Sequence, residues 1–478
     1  MSYLVQDPSS PYSIFERLRF ENPWWIAGQI DPDYLKMSRR MYFEEFYSLV
    51  TESSVNRAVV LMGPRRVGKT VMMHHAISQL LAEGISPKKI AFVNIENPLF
   101  MNLSLDQIFQ YCLGATSDND PSGWYVFFDE IQYLKDWEIH LTTMVNSYRK
   151  TRFIVSGSAA ATLRNKSKES GAGRFTDFKL PCLTFAEYIK FNNLDSLMNE
   201  TGQKWMNGNT FYSTTHIKEL NKHFLDYINF GGFPEMIFSD AVKSNPSRYI
   251  RSDIIDKVLL RDLPSMYGIE NVQMLNKFFS VIAFNTGSET TYQHISTLSG
   301  INKKTILNYL TFLESSFLIK TIQRLDDTAR QFKRADYFKI YITNPSIRTA
   351  LFTPLESTDE EMGKMTETAI FSQLLHNDRN LPHYARWTKG RFQGEVDMVG
   401  MDARQLKPQW VSEIKWSNYY VTNPHKLESL ITFCQTNDLQ SAIVTSIDIL
   451  TSVNHKGIEL QFIPAALYAY NAGVMKVN

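Results

Sequence analysis

The chain has 478 residues, and its 50 Lys and Arg against 49 Asp and Glu leave a net charge of +1, so no global basic field advertises nucleic acid, although local basic surfaces stay open. Its 44% hydrophobic content is enough for several cores, and roughly two to four domains are expected. Three isolated cysteines, Cys112, Cys182 and Cys434, form neither a metal spacing nor a disulfide framework, which points to a reducing cytoplasm.

No apolar run reaches the ~20 residues of a spanning helix, and the opening MSYLVQDPSSPYSIF lacks a basic flank and an apolar signal core. Repeats and low-complexity tracts are absent, which argues against a solenoid or a disordered scaffold. A soluble, unprocessed, cytoplasmic chain with no membrane partner is therefore expected. Residues 11–50, rich in aromatics and arginine, read as helices packed on an α/β core that begins near residue 58, with Trp24 and Trp25 buried in the contact.

Next comes AVVLM (58–62), an apolar run of buried-strand character, then GPRRVGKT (63–70), then VMMHHAISQLLAEG with helical spacing and a terminal Gly84. The octapeptide fits the phosphate-binding pattern G-x-x-x-x-G-K-[ST] at every position, through Gly63, Pro64, Arg65, Arg66, Val67, Gly68, Lys69 and Thr70. Glycines let the backbone curl so that its N–H groups and the helix N-terminus face phosphates. Lys69 would reach the β and γ oxygens, and the Thr70 hydroxyl would ligate magnesium. ATP with Mg²⁺ is the ligand to expect; the bland alternative is a Gly/Pro turn before a helix.

At 124–137 the chain reads WYVFFDEIQYLKDW, where an uncharged run ends abruptly in Asp129 and Glu130. This is the pattern of a buried central strand delivering two carboxylates to its C-terminal tip, where ligands bind in open α/β sheets. Asp129 would hold the magnesium shell, and Glu130 would orient or deprotonate the attacking water. The alternative is a helix N-terminus favouring acids. RFIVSGSAAATL (152–163) reads as another strand, with Ser156 or Ser158 as a sensor of the γ-phosphate. Arg174 follows a glycine-rich loop at 170–173 and is either a finger on nucleotide bound by a neighbouring subunit or a surface charge.

Beyond 191 the periodic pattern lapses through asparagine- and threonine-rich sequence (192–215), a boundary or an exposed excursion. A helix is predicted over 218–228. Gly231 and Gly232 before Phe233 and Pro234 mark an architectural turn, and 249–263 alternates charged and apolar residues at helical spacing. There the arginines form a solvated face, and Arg261 and Asp262 are placed to bridge subunits or domains. ETTYQHISTLSGINKKTILNYLTFLESSFLIKTIQRL then gives a short helix, a turn at Gly300, a longer helix with Ile301, Ile306, Leu310, Leu313 and Leu318 on its apolar side, and a strand. That order matches a winged helix-turn-helix, with Lys303, Lys304 and Asn308 on the exposed side of the second helix, where a DNA reader places side chains; many such modules bind only protein.

In the last part, Glu367 begins a predicted helix ETAIFSQLL, YARWTKGRFQGEVDMVGM reads as two strands joined by a glycine-containing turn, and WVSEIKWS as a third. Asp397 lies among apolar residues of one strand, and the period of two points Glu413 and Lys415 of E-x-K to one face. A buried carboxylate needs a partner or a metal. Asp397, Glu413 and Lys415 would converge on one magnesium, with Lys415 positioning water and Glu367 assisting from its helix, as hydrolysis of a phosphodiester requires. The alternative is a structural ion pair across two strands.

Taken together, GPRRVGKT, FFDEIQYLKDW, IVSGSAAATL, GR followed by LPCLTFAEY, NFGGFPE, VLLRDLPSMYGI, the helix-turn-helix segment, and the late ETAIF, EVDMV and SEIK resemble a widespread family of bacterial and archaeal AAA-type ATPases. These carry a C-terminal domain of unknown function similar to the PD-(D/E)xK nuclease fold. The resemblance runs from about Tyr42 to Ile443. It implies an α/β chain: a P-loop NTPase (AAA-like) parallel-sheet domain, then a winged helix, then a restriction-endonuclease-like α/β domain. Expected boundaries are a helical lead-in at 1–45, the ATPase at 46–195, a helical lid or linker at 196–265, the winged helix at 266–335 and the nuclease-like domain at 336–478. Glu130 and Arg174 carry the ATPase chemistry on this reading, and Glu367, Asp397, Glu413 and Lys415 the nuclease chemistry. One departure stands out: Glu395 and Val396, and no proline, precede Asp397. Two functions are compatible with this set, an ATP-driven nuclease acting on DNA, and an ATP-dependent switch whose C-terminal half only binds DNA or a protein. Homo-oligomers are possible under either.

Overall fold

A computed structural model describes residues 11–158, 173–205, 208–330, 336–376, 381–402 and 404–475. It divides at Leu180 and Pro181 into two compact units. The expected glycine-rich loop at 170–173 lies, but for Gly173, outside the described residues.

Among the described residues the first unit is built on five strands, β1 (Ala58–Met62), β2 (Ile90–Asn94), β3 (Tyr125–Asp129), β4 (Arg152–Gly157) and β5 (Phe175–Lys179), in the order β2-β3-β4-β1-β5. Every neighbouring pair is parallel. AVVLM is buried along its whole length, and YVFFD is buried except at its first residue, as a sheet covered on both faces requires. Parallel strands put all C-terminal ends on one edge, so the loop after β1 and the acids after β3 share that edge.

The edge strand β2 is closed by side chains of the N-terminal helices. The Asn22 amide donates to the Phe92 carbonyl (2.8 Å) and its Oδ1 accepts from the Phe92 amide. Both Trp24 and Trp25 indoles donate to the Ile90 carbonyl, and Glu21 accepts from the Asn94 amide. Successive backbone groups of an otherwise open edge are thus satisfied by a segment that is not a strand. Trp24 is fully buried, as expected, and Trp25 is half-buried.

Among the described residues the second unit holds eleven strands. β6 (Asn199–Trp205) and β7 (Asn209–Ser213) pair as an antiparallel hairpin, where the sequence pattern suggests a boundary or an exposed excursion. Its few apolar side chains do not alternate, and contacts from elsewhere in the unit hold it: the Asn471 side chain accepts from the Tyr212 amide and donates to the Tyr212 carbonyl, and Trp205 packs edge-on against Phe211 and Tyr468. β8 (Glu289–Thr291), β9 (Ile319–Leu325), β10 (Tyr337–Ile342), β11 (His383–Lys389), β12 (Phe392–Met401), β13 (Pro408–Glu413), β14 (Ser441–Ser446), β15 (Thr451–His455) and β16 (Ile458–Pro464) form one sheet in the order β15-β16-β14-β13-β12-β11-β9-β10-β8. Helices Tyr292–Ser299 and Lys303–Ser315 lie between β8 and β9, joined through Gly300 at φ 71°. Ile301, Ile306, Leu310, Leu313 and Leu318 are all buried.

Residues Ile250–Asp262 form a π-helix rather than the α-helix their spacing suggests, running directly into a short α-helix Leu263–Tyr267. The pattern of charged and apolar residues over so short a stretch does not separate the two windings. The architectural role of the Gly231-Gly232 turn is visible at Gly232, where a Cβ would lie 2.2 Å from the Asn344 side chain.

Candidate functional site

The loop after β1 is held in the shape that anion binding needs. A Cβ on Gly63 would lie 2.1 Å from the Leu180 carbonyl oxygen, so no other residue fits there. Gly68, at φ 93°, precedes the helix Lys69–Ala82, whose N-terminal amides face the loop. Arg66 adopts φ 64°, an uncommon backbone for a non-glycine residue. Lys69 is buried and donates to the Gly63 and Pro64 carbonyls at 3.1 and 2.9 Å, which holds its ammonium over the loop.

Thr70 and Asp129 meet, with the Thr70 hydroxyl donating to Asp129 Oδ2 at 2.7 Å. The Ser156 hydroxyl donates to Asp129 Oδ1 and accepts from the Glu130 amide. Ser156 is fully buried with its hydroxyl engaged on both sides, so it orients the acid pair rather than reaching outward. Burial, then the charge of Glu130, pushes the Asp129 carboxyl up to about 6. Hard oxygens of a hydroxyl and a carboxylate at the loop are a fit for magnesium. Glu130 sits in left-handed backbone at φ 55°, directly after the strand, and its carboxylate accepts from Gln132, whose amide also donates to Ser158 at 3.2 Å.

Arg174 has a different address. Phe175 pairs with Ala58 and Lys179 with Met62, so Arg174 lies at the N-terminal end of the sheet, about 16 Å of strand from the loop. It is exposed. This separation exceeds the reach of an arginine and removes a role on nucleotide in the same chain. Two residues that touch the site do not stand out in the sequence: Gln132, and Arg40, which is buried and donates to the Val67 carbonyl at 2.6 Å. The arginine-rich 11–50 segment is the only signal for Arg40, and Gln132 is an ordinary polar letter inside FFDEIQ.

In the second unit Glu367, Asp397, Glu413 and Lys415 are brought together. Glu367 stands mid-helix in Met362–Ser372, not at its start, and Lys415 lies two residues past the end of β13. Lys415 Nζ is 2.6 Å from Glu413 and 3.4 Å from Asp397 Oδ2, which also accepts from the Ile414 amide. A second lysine, which no sequence motif marks, completes the group. Lys339 of β10 is buried, with Nζ 3.0 Å from Glu367, 3.1 Å from Glu395 and 3.9 Å from Asp397 Oδ1. Tyr341, two residues on and therefore on the same strand face, donates to the Glu367 carboxylate.

Burial works to raise the Asp397 carboxyl, but Lys415 and Lys339 outweigh it and hold it below its usual range. Burial, then Asp397, pushes Glu413 up to about 7. Burial would lower Lys415, and Glu413 with Asp397 holds it above its usual value instead. Among the described residues no group of three or more His, Cys, Asp or Glu side chains is arranged to hold a metal ion. The expected residues do converge, and two ammonium groups, Lys415 and Lys339, stand among their carboxylates.

Residues 55–189 match the family model described as an AAA domain, and residues 221–359 match a domain of unknown function, DUF8612. The second match ends before Glu367, so Glu367, Glu395, Asp397, Glu413 and Lys415 lie outside both, while Lys339 falls within the second. An uncharacterized protein of Methanocaldococcus jannaschii is 24% identical over 67% of this chain, the match spanning 66% of that relative, just under two thirds of its length. An uncharacterized protein of Haemophilus influenzae is 24% identical over 65% of this chain and 74% of its own length. Among solved structures, Saccharomyces cerevisiae RIF2 is 16% identical, covering 40% of this chain and 72% of that one at a TM-score of 0.25. C. elegans PCH-2 is 12% identical, covering 48% and 64% at a TM-score of 0.28. At such scores neither superposition bears on the fold. No helix among the described residues is long and apolar enough to cross a membrane. The match over residues 55–189, together with the loop after β1 and the acids after β3, supports an AAA-type P-loop nucleotide-binding domain.

Proposed function

We propose that the chain is an ATP-hydrolysing switch whose C-terminal part engages DNA without cutting it. The observation that carries the ATPase reading is the chain of contacts from Thr70 through Asp129 and Ser156 to Glu130. In this reading the loop amides and Lys69 hold the β and γ phosphates, and Glu130 takes a proton from, or orients, the attacking water. Magnesium, held by Thr70 and Asp129, would supply neutralisation of charge on the phosphate oxygens. Gln132 holds the Glu130 carboxylate at an angle its left-handed backbone sets, and Ser158 bears on the site through Gln132. With its place at the far end of the sheet, Arg174 acts as a finger only on nucleotide bound by a second copy of the chain. Sedimentation with and without a slowly hydrolysed ATP analogue tests assembly; a monomer in both conditions removes that finger.

The order of helix Val272–Phe284, β8, two helices, β9 and β10 supports the winged-helix reading. Lys303, Lys304 and Asn308 are exposed on helix Lys303–Ser315, which favours DNA over a protein partner. Helix Met362–Ser372 followed by β11, β12, β13, helix Glu428–Thr436 and β14 supports the nuclease-like reading of the fold. The charge pairing of its acids supports binding without cleavage. One observation favours the cutting alternative: Glu413 Oε2 is buried with no hydrogen-bond partner among the described residues. Incubating plasmid with the protein, Mg²⁺ or Mn²⁺ and ATP separates the two. Absence of nicking with retained, salt-sensitive DNA binding that falls in Lys303→Ala/Lys304→Ala supports the proposal. Nicking abolished by Lys415→Ala sinks it, and binding of no DNA at all redirects the switch to a protein partner.

A further inference from the structure

The PD-(D/E)xK-like reading of the second unit implies a divalent cation among Glu367, Asp397 and Glu413, and a buried lysine that already pairs with two of the three does not fit one there. Lys339 enters the acidic centre from β10, where the strand alternation sends it and Tyr341 to the same face as helix Met362–Ser372. It is 2% exposed and cannot reach a ligand outside. Its ammonium stands 3.0 Å from Glu367, 3.1 Å from Glu395 and 3.9 Å from Asp397, and 5.2 Å from the centroid of the Tyr384 ring. The first is a charge-assisted hydrogen bond, the next two are ion pairs, and the last is a cation–π contact. Asp397 Oδ2 is turned the other way, to Lys415 and the Ile414 amide, while its Oδ1 faces Lys339 at ion-pair distance.

The charges of the wider network nearly balance. Arg324 and Arg386 reach Glu289, and Arg386 also reaches Glu395. Five acids (Glu289, Glu367, Glu395, Asp397, Glu413) thus face four bases (Lys339, Lys415, Arg324, Arg386). A divalent cation among them would overshoot that balance and would have to displace a buried ammonium from its carboxylates.

We propose that Lys339 is a built-in cation that takes the place of a divalent ion between Glu367, Glu395 and Asp397 of this nuclease-like centre. The inference rests on the nuclease-like reading of the unit. It makes Lys339, rather than loss of any acid, the reason the centre binds no metal. Replacing Lys339 by an uncharged side chain of similar length leaves Glu367, Glu395 and Asp397 facing one another, and a hard divalent cation becomes the ion they accept.

The test is thermal unfolding and calorimetric titration with MnCl₂ of the full chain, stripped with EDTA. Wild type and Asp397→Asn are predicted to respond to Mn²⁺ alike. Lys339→Met is predicted to melt lower in EDTA, to recover in Mn²⁺, and to bind Mn²⁺ at least roughly tenfold more tightly than wild type, a gain that adding Asp397→Asn removes. If Lys339→Met does not fold in EDTA, folding on addition of Mn²⁺ is the same result in another form, and Lys339→Met/Glu395→Gln, with one carboxylate fewer, is carried alongside. Failure of both variants to gain Mn²⁺ affinity overturns the proposal, as does wild-type binding of Mn²⁺ that Asp397→Asn abolishes. Such binding without DNA cleavage overturns this inference alone; cleavage that survives Asp397→Asn overturns the non-cutting function alone.

Discussion

Two buried aspartates on strands, Asp129 at the end of β3 and Asp397 within β12, are treated in opposite ways. Hydroxyls of Thr70 and Ser156 make the hydrogen bonds to Asp129, and burial raises its carboxyl to about 6. Asp397 is approached by Lys339 and Lys415, and its carboxyl is held low. A hydroxyl orients a carboxylate while leaving its charge to attract a cation from solution. A lysine orients it and supplies that cation. On the proposed reading the same side chain therefore serves a metal-dependent reaction in one unit and a self-contained ion cluster in the other.

The largest effect that would break this contrast is expected at Glu130. Glu130→Gln should lower ATP turnover on the order of 10²–10⁴-fold with nucleotide binding retained, read by phosphate release and by calorimetry. Turnover equal to wild type would remove the role assigned to that carboxylate. Next, Lys339→Ala should destabilise the second unit by about 3–5 kcal/mol in denaturant unfolding, because it strands buried carboxylates. A loss below about 1 kcal/mol would mean the cluster is a surface-like ion pair.

Ser156→Ala sharpens the other half. Loss of a hydroxyl bonded to a charged group is worth about 1.5–3 kcal/mol, and should appear as a fall in turnover with little change in fold, since Ser156 aligns both Asp129 and Glu130. The smallest effect is on pH. Glu413, with an ordinary value of 4.5, is raised to about 7 by burial and by Asp397. A carboxylate raised on folding favours the folded state below the unfolded value and loses that contribution as pH rises through the folded one. Glu413→Gln should therefore flatten a decline in stability between about pH 4.5 and 7, a slope of at most about 1.4 kcal/mol per unit. An unchanged slope would mean that Glu413 stays ionised throughout.

The two centres also differ in how far they can be read from sequence. GPRRVGKT and FFDE are local: strand, loop, helix and acids succeed one another within short stretches, so their meeting at one sheet edge comes from parallel pairing alone. Glu367, Asp397, Glu413 and Lys415 are legible through their strand and helix patterns, but their counter-ions are not. Lys339 is one polar letter in YFKIYI, and only the order β12-β11-β9-β10 brings that strand to Glu395 and Asp397. Asn22 closing β2, Arg40 on the loop and Asn471 on β7 are likewise contacts between distant segments with no local signature. Arg174 shows the converse. Its place after a glycine-rich loop suggests proximity to phosphate, whereas the pairing of β5 with β1 sets it at the opposite end of the sheet.

The contrast is tested most directly by counting Mn²⁺ sites calorimetrically on the full chain in the presence of a slowly hydrolysed ATP analogue. One Mn²⁺ per chain is predicted, lost in Asp129→Asn and unchanged in Asp397→Asn. A second site, or a single site that Asp397→Asn removes and Asp129→Asn spares, would contradict it.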